Sequence, residues 1–320
     1  MRPSSLQPRW FLVTRPSILT SIVTQPVYLI DASIFVFRAW HAVPNTLVDH
    51  DGNPVNALHG FARFMGDVLE QVKPQHIAVA FDESLRNSFR NQIYPAYKAN
   101  REPAPVELKR QFALCKQVCQ ALGVPTFASD AFEADDIIGT LATRMRAAGK
   151  QMVLLSRDKD LTQLIRPGDV YWDYLGEKRY QYDDIPEKFG VLPERMACYL
   201  AVMGDAVDNI RGVPGVGAKS ASTLFRHFES LTHLYDNLDS VLKLKLRSPG
   251  FVANQLREHK EAALLARRLT EIACDMPLQV GLTMLERTQP DLQRLHDLYE
   301  AANFGPLLRN QAERIARSLS

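Results

Sequence analysis

The sequence predicts an α/β fold with a mostly parallel central sheet, followed by a smaller all-helical part. Three short apolar runs, "VYLID", "IAVAFD" and "MVLLSRD", each close on an acid: Asp31, Asp82 and Asp158. Helical patterns over 56–72, 106–122 and 134–148 separate or follow them. Beyond about residue 182 strand character fades, and helical segments at 194–203, 218–228 and 255–270 are joined by short turns. Bounded apolar runs alternating with amphipathic helices imply buried parallel strands with helices on both faces. In such sheets ligands bind at the carboxyl ends of the strands, where the three acids would lie.

Residues 1–26 carry Arg2, Arg9 and Arg15, no acid and no clear periodicity, the composition of a disordered leader, an over-long start or a transit peptide. They are set aside from the fold, which is expected to run from 27 to 182 as the α/β domain and from 183 to 280 as the helical subdomain. Residues 281–320 form a C-terminal helical segment with an amphipathic helix near 291–302. Residues 243–250, "KLKLRSPG", read as a basic loop.

The helix at 134–148 opens with "FEADDIIGTLATRM". Glu133 and Asp136 are three apart and share a face, while Ile137, Ile138, Leu141 and Met145 make a buried stripe. One or two acids in a first helical turn complement the helix dipole; three in four residues exceed that need.

With 320 residues, 46% of them hydrophobic and 23% charged, the chain has the composition of an ordinary globular protein with a sizeable core. No apolar run reaches the roughly 18 residues of a membrane span. Cys115, Cys119, Cys198 and Cys274 have no paired CxxC spacing and read as small buried thiols rather than zinc ligands or disulfides. The net charge of +2 is unevenly spread: residues 1–30 carry +3 and residues 86–116 carry +5, leaving about −6 elsewhere. Such a division lets one part meet a polyanion and another part hold cations.

The acids form the candidate site. Asp31, Asp82, Glu133, Asp135, Asp136, Asp158, Asp160, Asp205 and Asp208 would meet where strand ends and helix start converge. Carboxylates ~4 Å apart repel by ~1 kcal/mol in water and ~4 kcal/mol at an intermediate dielectric, so bare they could not all stay ionised. An all-oxygen set selects magnesium or manganese over zinc. Two such ions ~4 Å apart suit in-line phosphodiester cleavage, one lowering the pKa of the attacking water and the other stabilising the leaving oxygen. The strip "SFRNQIYPAYKANREPAPVELKR" complements them: Arg90, Lys98 and Arg101 are interleaved with Tyr94 and Tyr97, a pattern suited to phosphates and unpaired bases. Pro103 and Pro105 break any helix, so an arching loop over about 88–105 is expected.

"GVPGVGAKSA" at 212–221 lacks the GxxxxGK[ST] spacing of a P-loop and follows a helix, where a P-loop should follow a strand. Its glycines Gly212, Gly215 and Gly217 permit a tight turn between helices, whose following helix start, with Lys219, can hold a phosphate.

Together "YLIDASIFVFRAW", "FDESLRNSFRNQIYPAYKANREP", "FEADDIIGTLA", "SRDKDLTQL" and "MGDAVDNIRGVPGVGAKSA" resemble, in order and approximate spacing, the 5′-3′ exonuclease family. That family includes the N-terminal nuclease domain of bacterial DNA polymerase I and the flap endonucleases. The resemblance covers roughly 27–280, including "HKEAALLARRLTEIACDMPL". It implies a PIN-like nuclease domain followed by a helix-three-turn-helix, or helix-hairpin-helix, DNA-binding subdomain. It also implies two metal clusters, Asp31, Asp82, Glu133, Asp135 and Asp136 in the first and Asp158, Asp160, Asp205 and Asp208 in the second. Arg38 and Lys98 match the basic positions that face the scissile phosphate, and Tyr97 the place where a terminal base stacks. Arg90 and Arg101 are implied in the same cleft or its arch, and potassium at the glycine-rich turn.

The implied activity is metal-dependent 5′-3′ exonuclease and flap endonuclease action on DNA with 5′ ends or flaps, extending to RNA in RNA-DNA hybrids. The alternatives are a structure-specific DNA-binding protein with vestigial catalysis and a PIN-like ribonuclease. Ending at 320, the chain is expected to act as a free-standing monomeric nuclease of the bacterial cytoplasm and nucleoid, with organellar import through the leader as the alternative. A sliding clamp or separate polymerase as partner is not legible in the sequence.

Overall fold

The computed structural model describes residues 25–83 and 87–319. The leader expected over 1–26 lies, apart from Gln25 and Pro26, outside the described residues. The three predicted apolar runs are strands β1 (Val27–Asp31), β2 (His76–Asp82) and β4 (Met152–Leu155). With β3 (Thr126–Ser129), β5 (Val170–Asp173) and β6 (Lys178–Gln181) they form one six-stranded sheet in the order β3-β2-β1-β4-β5-β6. All neighbours pair parallel except β5 and β6. β1 pairs on one side with β2 and on the other with β4, so the strand order reverses beside its carboxyl end, the usual place for a ligand in an open α/β sheet.

Both faces of the sheet are covered, which is why its central strands read as continuous apolar runs. Ile30, Ile77, Val79, Phe81 and Leu155 face a core filled by α1 (Ala32–Ala42), α2 (Asn56–Val72), α4 (Val106–Ala121), α12 (Leu292–Ala301) and α13 (Pro306–Arg317). Leu29, Ala78, Ala80 and Leu154 face α5 (Ala134–Ala147) and a second core. That second core continues through α6 (Asp184–Phe189), α7 (Met196–Met203), α8 (Ala218–His227) and α9 (Leu231–Asp236) to α10 (Pro249–Glu258) and α11 (Lys260–Thr270). The helical part thus shares its apolar core with the sheet.

Three local expectations change. The strand of "MVLLSRD" ends at Leu155, and Asp158 instead caps a 3-10 turn over Lys159–Leu164, accepting from the Asp160 N–H at 2.9 Å. The single helix expected over 255–270 is two, α10 and α11, meeting at His259, because α11 packs on α7 while α10 packs on the 3-10 turn Leu238–Lys243. Within 88–105 the chain forms a short helix α3 (Phe89–Ile93) and a run of turns before Pro105 leads into α4. Among the described residues no helix is long and apolar enough to cross a membrane.

Candidate active site

The carboxyl end of the sheet gathers the acids through short, specific bonds. Asp31 ends β1, accepting from the Ser33 N–H at 3.1 Å and the Ser156 hydroxyl at 3.0 Å. Asp82 ends β2 and accepts from the Ser33 hydroxyl at 2.6 Å and the Ala134 N–H at 2.8 Å, tying its strand to the starts of α1 and α5. Asp135 stands in the first turn of α5. The loop 204–210 after α7 carries Asp205 and Asp208 and is bonded to the α/β part by Lys159 Nζ and the Lys98 N–H.

Electrostatics shows how closely these groups crowd. Burial, then the neighbouring Asp82 and Asp158, push Asp31 up to about 7. Burial, then Asp158, Asp31 and Asp82, push Asp135 well above the usual carboxylate range. Burial and then Asp158 push Asp160 up to about 8. Asp158 raises all three. Glu133 Oε1 and Asp160 Oδ1 are buried with no hydrogen-bond partner. An all-oxygen set whose carboxyls are pushed up by burial and by one another, with the buried Glu133 Oε1 unbonded, fits hard divalent cations. Among the described residues no three Asp, Glu, His or Cys side chains already surround a single point as a finished cage.

Basic groups occupy part of this face. Lys98 Nζ lies 2.7 Å from Glu133 Oε2 and 3.9 Å from Asp208 Oδ2, with 10% of its side chain exposed. Burial alone would lower its pKa, but Glu133 and Asp208 raise it on balance. Arg101 pairs with Asp208. Lys159, which sequence reasoning passed over, bridges Asp205 at 2.8 Å and Asp160 at 3.6 Å. Burial would raise Asp205, yet the Lys159 ammonium and the Val207 N–H hold it below the usual carboxylate range. The available signal was its place between the acids of "RDKD". Arg38 is exposed on α1 and has no bonded partner among the described residues.

Three sequence assignments are corrected. Asp136 is fully buried, and its oxygens accept from Arg90 at 2.7 and 2.8 Å, the Glu133 N–H at 3.0 Å and the Ala273 N–H at 2.8 Å. No lone pair remains free for a metal. Arg90, its partner, is 3% exposed and also donates to the carbonyls of Leu269 and Glu271, so it joins α3, α5 and the end of α11 and does not face DNA. The Tyr97 ring is 3% exposed, packed with Ala201, Ile210, Ala266 and Leu269, and offers no face for a base. Its hydroxyl lies 3.1 Å from both Glu133 and Asp208; burial and these carboxylates keep the phenol protonated.

The glycine-rich turn joins α7 to α8. A Cβ on Gly212 would sit 2.4 Å from the backbone of Met203 and Gly204, and Gly215 has φ +76° with Phe251 packed against it. Gly217, at the start of α8, has open space around it, and Lys219 is exposed in the first turn of that helix.

A family model described as "5'-3' exonuclease, N-terminal resolvase-like domain" matches residues 26–190, and one described as "5'-3' exonuclease, C-terminal SAM fold" matches 191–293. The chain is 32% identical over 265 residues to a 5'-3' exonuclease of Buchnera aphidicola subsp. Acyrthosiphon pisum, covering 82% of this chain and 92% of that one. It is 36% identical over 294 residues to DNA polymerase I of Rhizobium leguminosarum, covering 90% of this chain but only 28% of that relative's length. In fold it is similar to T5 5'-exonuclease with divalent zinc ions bound, at a TM-score of 0.64 and 20% identity, over 92% of this chain and 99% of that one. The catalytic core of Rad2 in complex with DNA substrate follows at 0.58 and 16%, over 92% and 93%. Matched from one side of the carboxylate face to the other, the chain belongs to the 5′-3′ exonuclease family.

Proposed function

We propose that this chain is a divalent-metal-dependent 5′-3′ exonuclease and 5′-flap endonuclease, hydrolysing DNA to products with 5′-phosphates and 3′-hydroxyls. The observation that carries the reading is the crowding of acids at the carboxyl end of the sheet, where Ser33 donates to both Asp31 and Asp82 and where burial with neighbouring carboxylates pushes Asp31, Asp135 and Asp160 up. Magnesium or manganese bound there would supply the charge that activates water and stabilises the leaving oxygen. The candidate ligands are Asp31, Asp82, Glu133, Asp135, Asp158, Asp160, Asp205 and Asp208, without Asp136. Lys98, at the edge of this face, and Arg38, exposed on α1, would offset the charge that builds on the scissile phosphate. Arg101 has 34% of its side chain exposed and can turn from Asp208 to a strand passing the 94–101 segment.

The turn at 212–217 and Lys219 would hold the duplex. The start of α8 has no side-chain cap, so its N–H groups are available to a phosphate, and potassium would be held at the same turn. Water adds to phosphorus, the P–O3′ bond breaks and the proton passes to the leaving 3′-oxygen. RNA in hybrids would be cut by the same face, and the chain would act as a monomer.

Purified protein with magnesium should cleave a 5′-flap DNA, and Asp135→Asn should abolish cleavage while sparing binding. Lys98→Ala should slow cleavage by about 10²–10³-fold, the loss typical of one electrostatic group. Undiminished cleavage by Asp135→Asn would overturn the site; binding without cleavage in the wild type would favour a DNA-binding role.

A further inference from the structure

Lys98 has φ +54°, a left-handed backbone conformation that is uncommon for a residue with a Cβ and that here lies outside any helix cap. The peptide unit before it is pinned at both ends: the Tyr97 carbonyl accepts from Asn91 Nδ2 at 3.0 Å, and the Lys98 N–H donates to the Asp208 carbonyl at 3.0 Å. One residue earlier, the Ala96 carbonyl accepts from Asn209 Nδ2 at 2.7 Å. Asn209 is itself left-handed, at φ +57°, and follows Asp208 directly. Asparagine tolerates that conformation better than most residues, and its amide can donate to a carbonyl where an aspartate would only repel it.

We propose that Asn91 and Asn209 are positioning residues for Lys98. Asn91 fixes the segment from the α3 side and Asn209 from the loop that carries Asp205 and Asp208. Together they set the turn at 96–98 so that the lysine side chain leaves the backbone toward Glu133, and they tie its place to the second group of acids. A small rotation of this turn would swing the long side chain away from the phosphate position, since displacements near 1 Å cost a reacting group much of its effect. The inference rests on the role given to Lys98 above.

The test uses the whole chain with four variants: Asn209→Gly, Asn91→Ala, Lys98→Ala and Asn209→Gly with Lys98→Ala. Glycine keeps the left-handed backbone accessible and removes only the amide bond. Asn209→Gly and Asn91→Ala should each lower the single-turnover cleavage rate of a 5′-flap DNA by about tenfold at nearly unchanged Kd, a loss confined to the chemical step. Exchange of the Lys98 amide hydrogen should quicken in both. The double variant should be no slower than Lys98→Ala alone, because residues acting through one group are not additive. Unchanged Lys98 amide exchange, or losses that multiply in the double variant, would overturn the proposal. Should Lys98→Ala alone cleave at the wild-type rate, the role of Lys98 fails and the proposal with it, and quickened exchange in Asn209→Gly would show that the pinning itself is real.

Discussion

Arg90 and Asp136 form a two-bond ion pair, Nη1 to Oδ2 at 2.7 Å and Nη2 to Oδ1 at 2.8 Å, with 3% and 0% of their side chains exposed. The pair sits beneath the carboxylate face and connects α3, α5 and the end of α11. Each residue belongs by its sequence pattern to the functional set, and burial makes each part of the scaffold. Arg90 keeps its charge because Asp136 and Glu133 outweigh the cost of burial.

Removing one member of such a pair strands a buried charge. Arg90→Met should cost about 3–5 kcal/mol in urea unfolding, and Arg90→Lys should recover little because an ammonium cannot make the paired bonds. DNA affinity of the folded fraction should stay at the wild-type value, unlike that of a variant at a DNA-facing arginine.

Asp49 predicts the acid limb of the stability curve. It is buried in the 44–55 loop, paired with Arg110 of α4 and bonded by the Asn53 N–H at 2.8 Å. Burial works to raise it, but Arg110 and Asn53 prevail and hold it at about 2, against 3.8 for a free aspartate. A depressed carboxyl contributes stability that is complete above about pH 4 and lost as pH falls through about 2. Asp49→Asn should therefore flatten the fall in stability between pH 4 and 2, as measured by thermal unfolding at stepped pH.

The glycines of the α7–α8 turn should separate on substitution. Gly212→Ala drives a methyl into the backbone of Met203 and Gly204 and should destabilise by about 1–3 kcal/mol. Gly217→Ser meets open space and supplies a cap oxygen to α8, so its effect should be within about 0.5 kcal/mol or stabilising.

Divalent ions should stabilise as well as activate. Chelation should end cleavage, and magnesium at about 100 times its Kd should add about 2.7 kcal/mol. Lys159→Met leaves Asp160 and Asp205 without their ammonium, so the metal-free protein should melt earlier and gain more from magnesium than the wild type, by calorimetry.

Much of the fold was legible because buried parallel strands and amphipathic helices write their periods into the chain. α2, α4 and α5 fall within a residue of the expected 56–72, 106–122 and 134–148. β3, β5 and β6 were not: β3 and β6 are the edge strands with no buried residue, and β5 buries only Tyr171 and Trp172, so none writes an apolar run like that of β4. The place of β6 is set by pairing with β5, where the Arg179 guanidinium lies 4.1 Å over the Trp172 ring. The final helix, α13, packs Leu308, Ala312 and Ile315 into the core beside α2, where Gln311 and Arg314 also meet Asp67 and Glu70, contacts more than 240 residues apart that no local pattern reveals.

The sequence by itself determined which acids could gather, because strand ends and a helix start are local features that place a carboxylate at one edge of a parallel sheet. It also determined that a tight glycine turn follows Asp205 and Asp208. Only the tertiary structure decided which acids remain available, since Asp135 and Asp136 are adjacent in sequence but differ in what packs above them. One is crowded by Asp158 and Asp31, the other closed off by Arg90 and the Ala273 N–H. The same holds for the basic strip, where burial took Arg90 and Tyr97 into the scaffold, and where the distant Asn209 bonds the Ala96 carbonyl two residues before Lys98, whose ammonium meets Glu133.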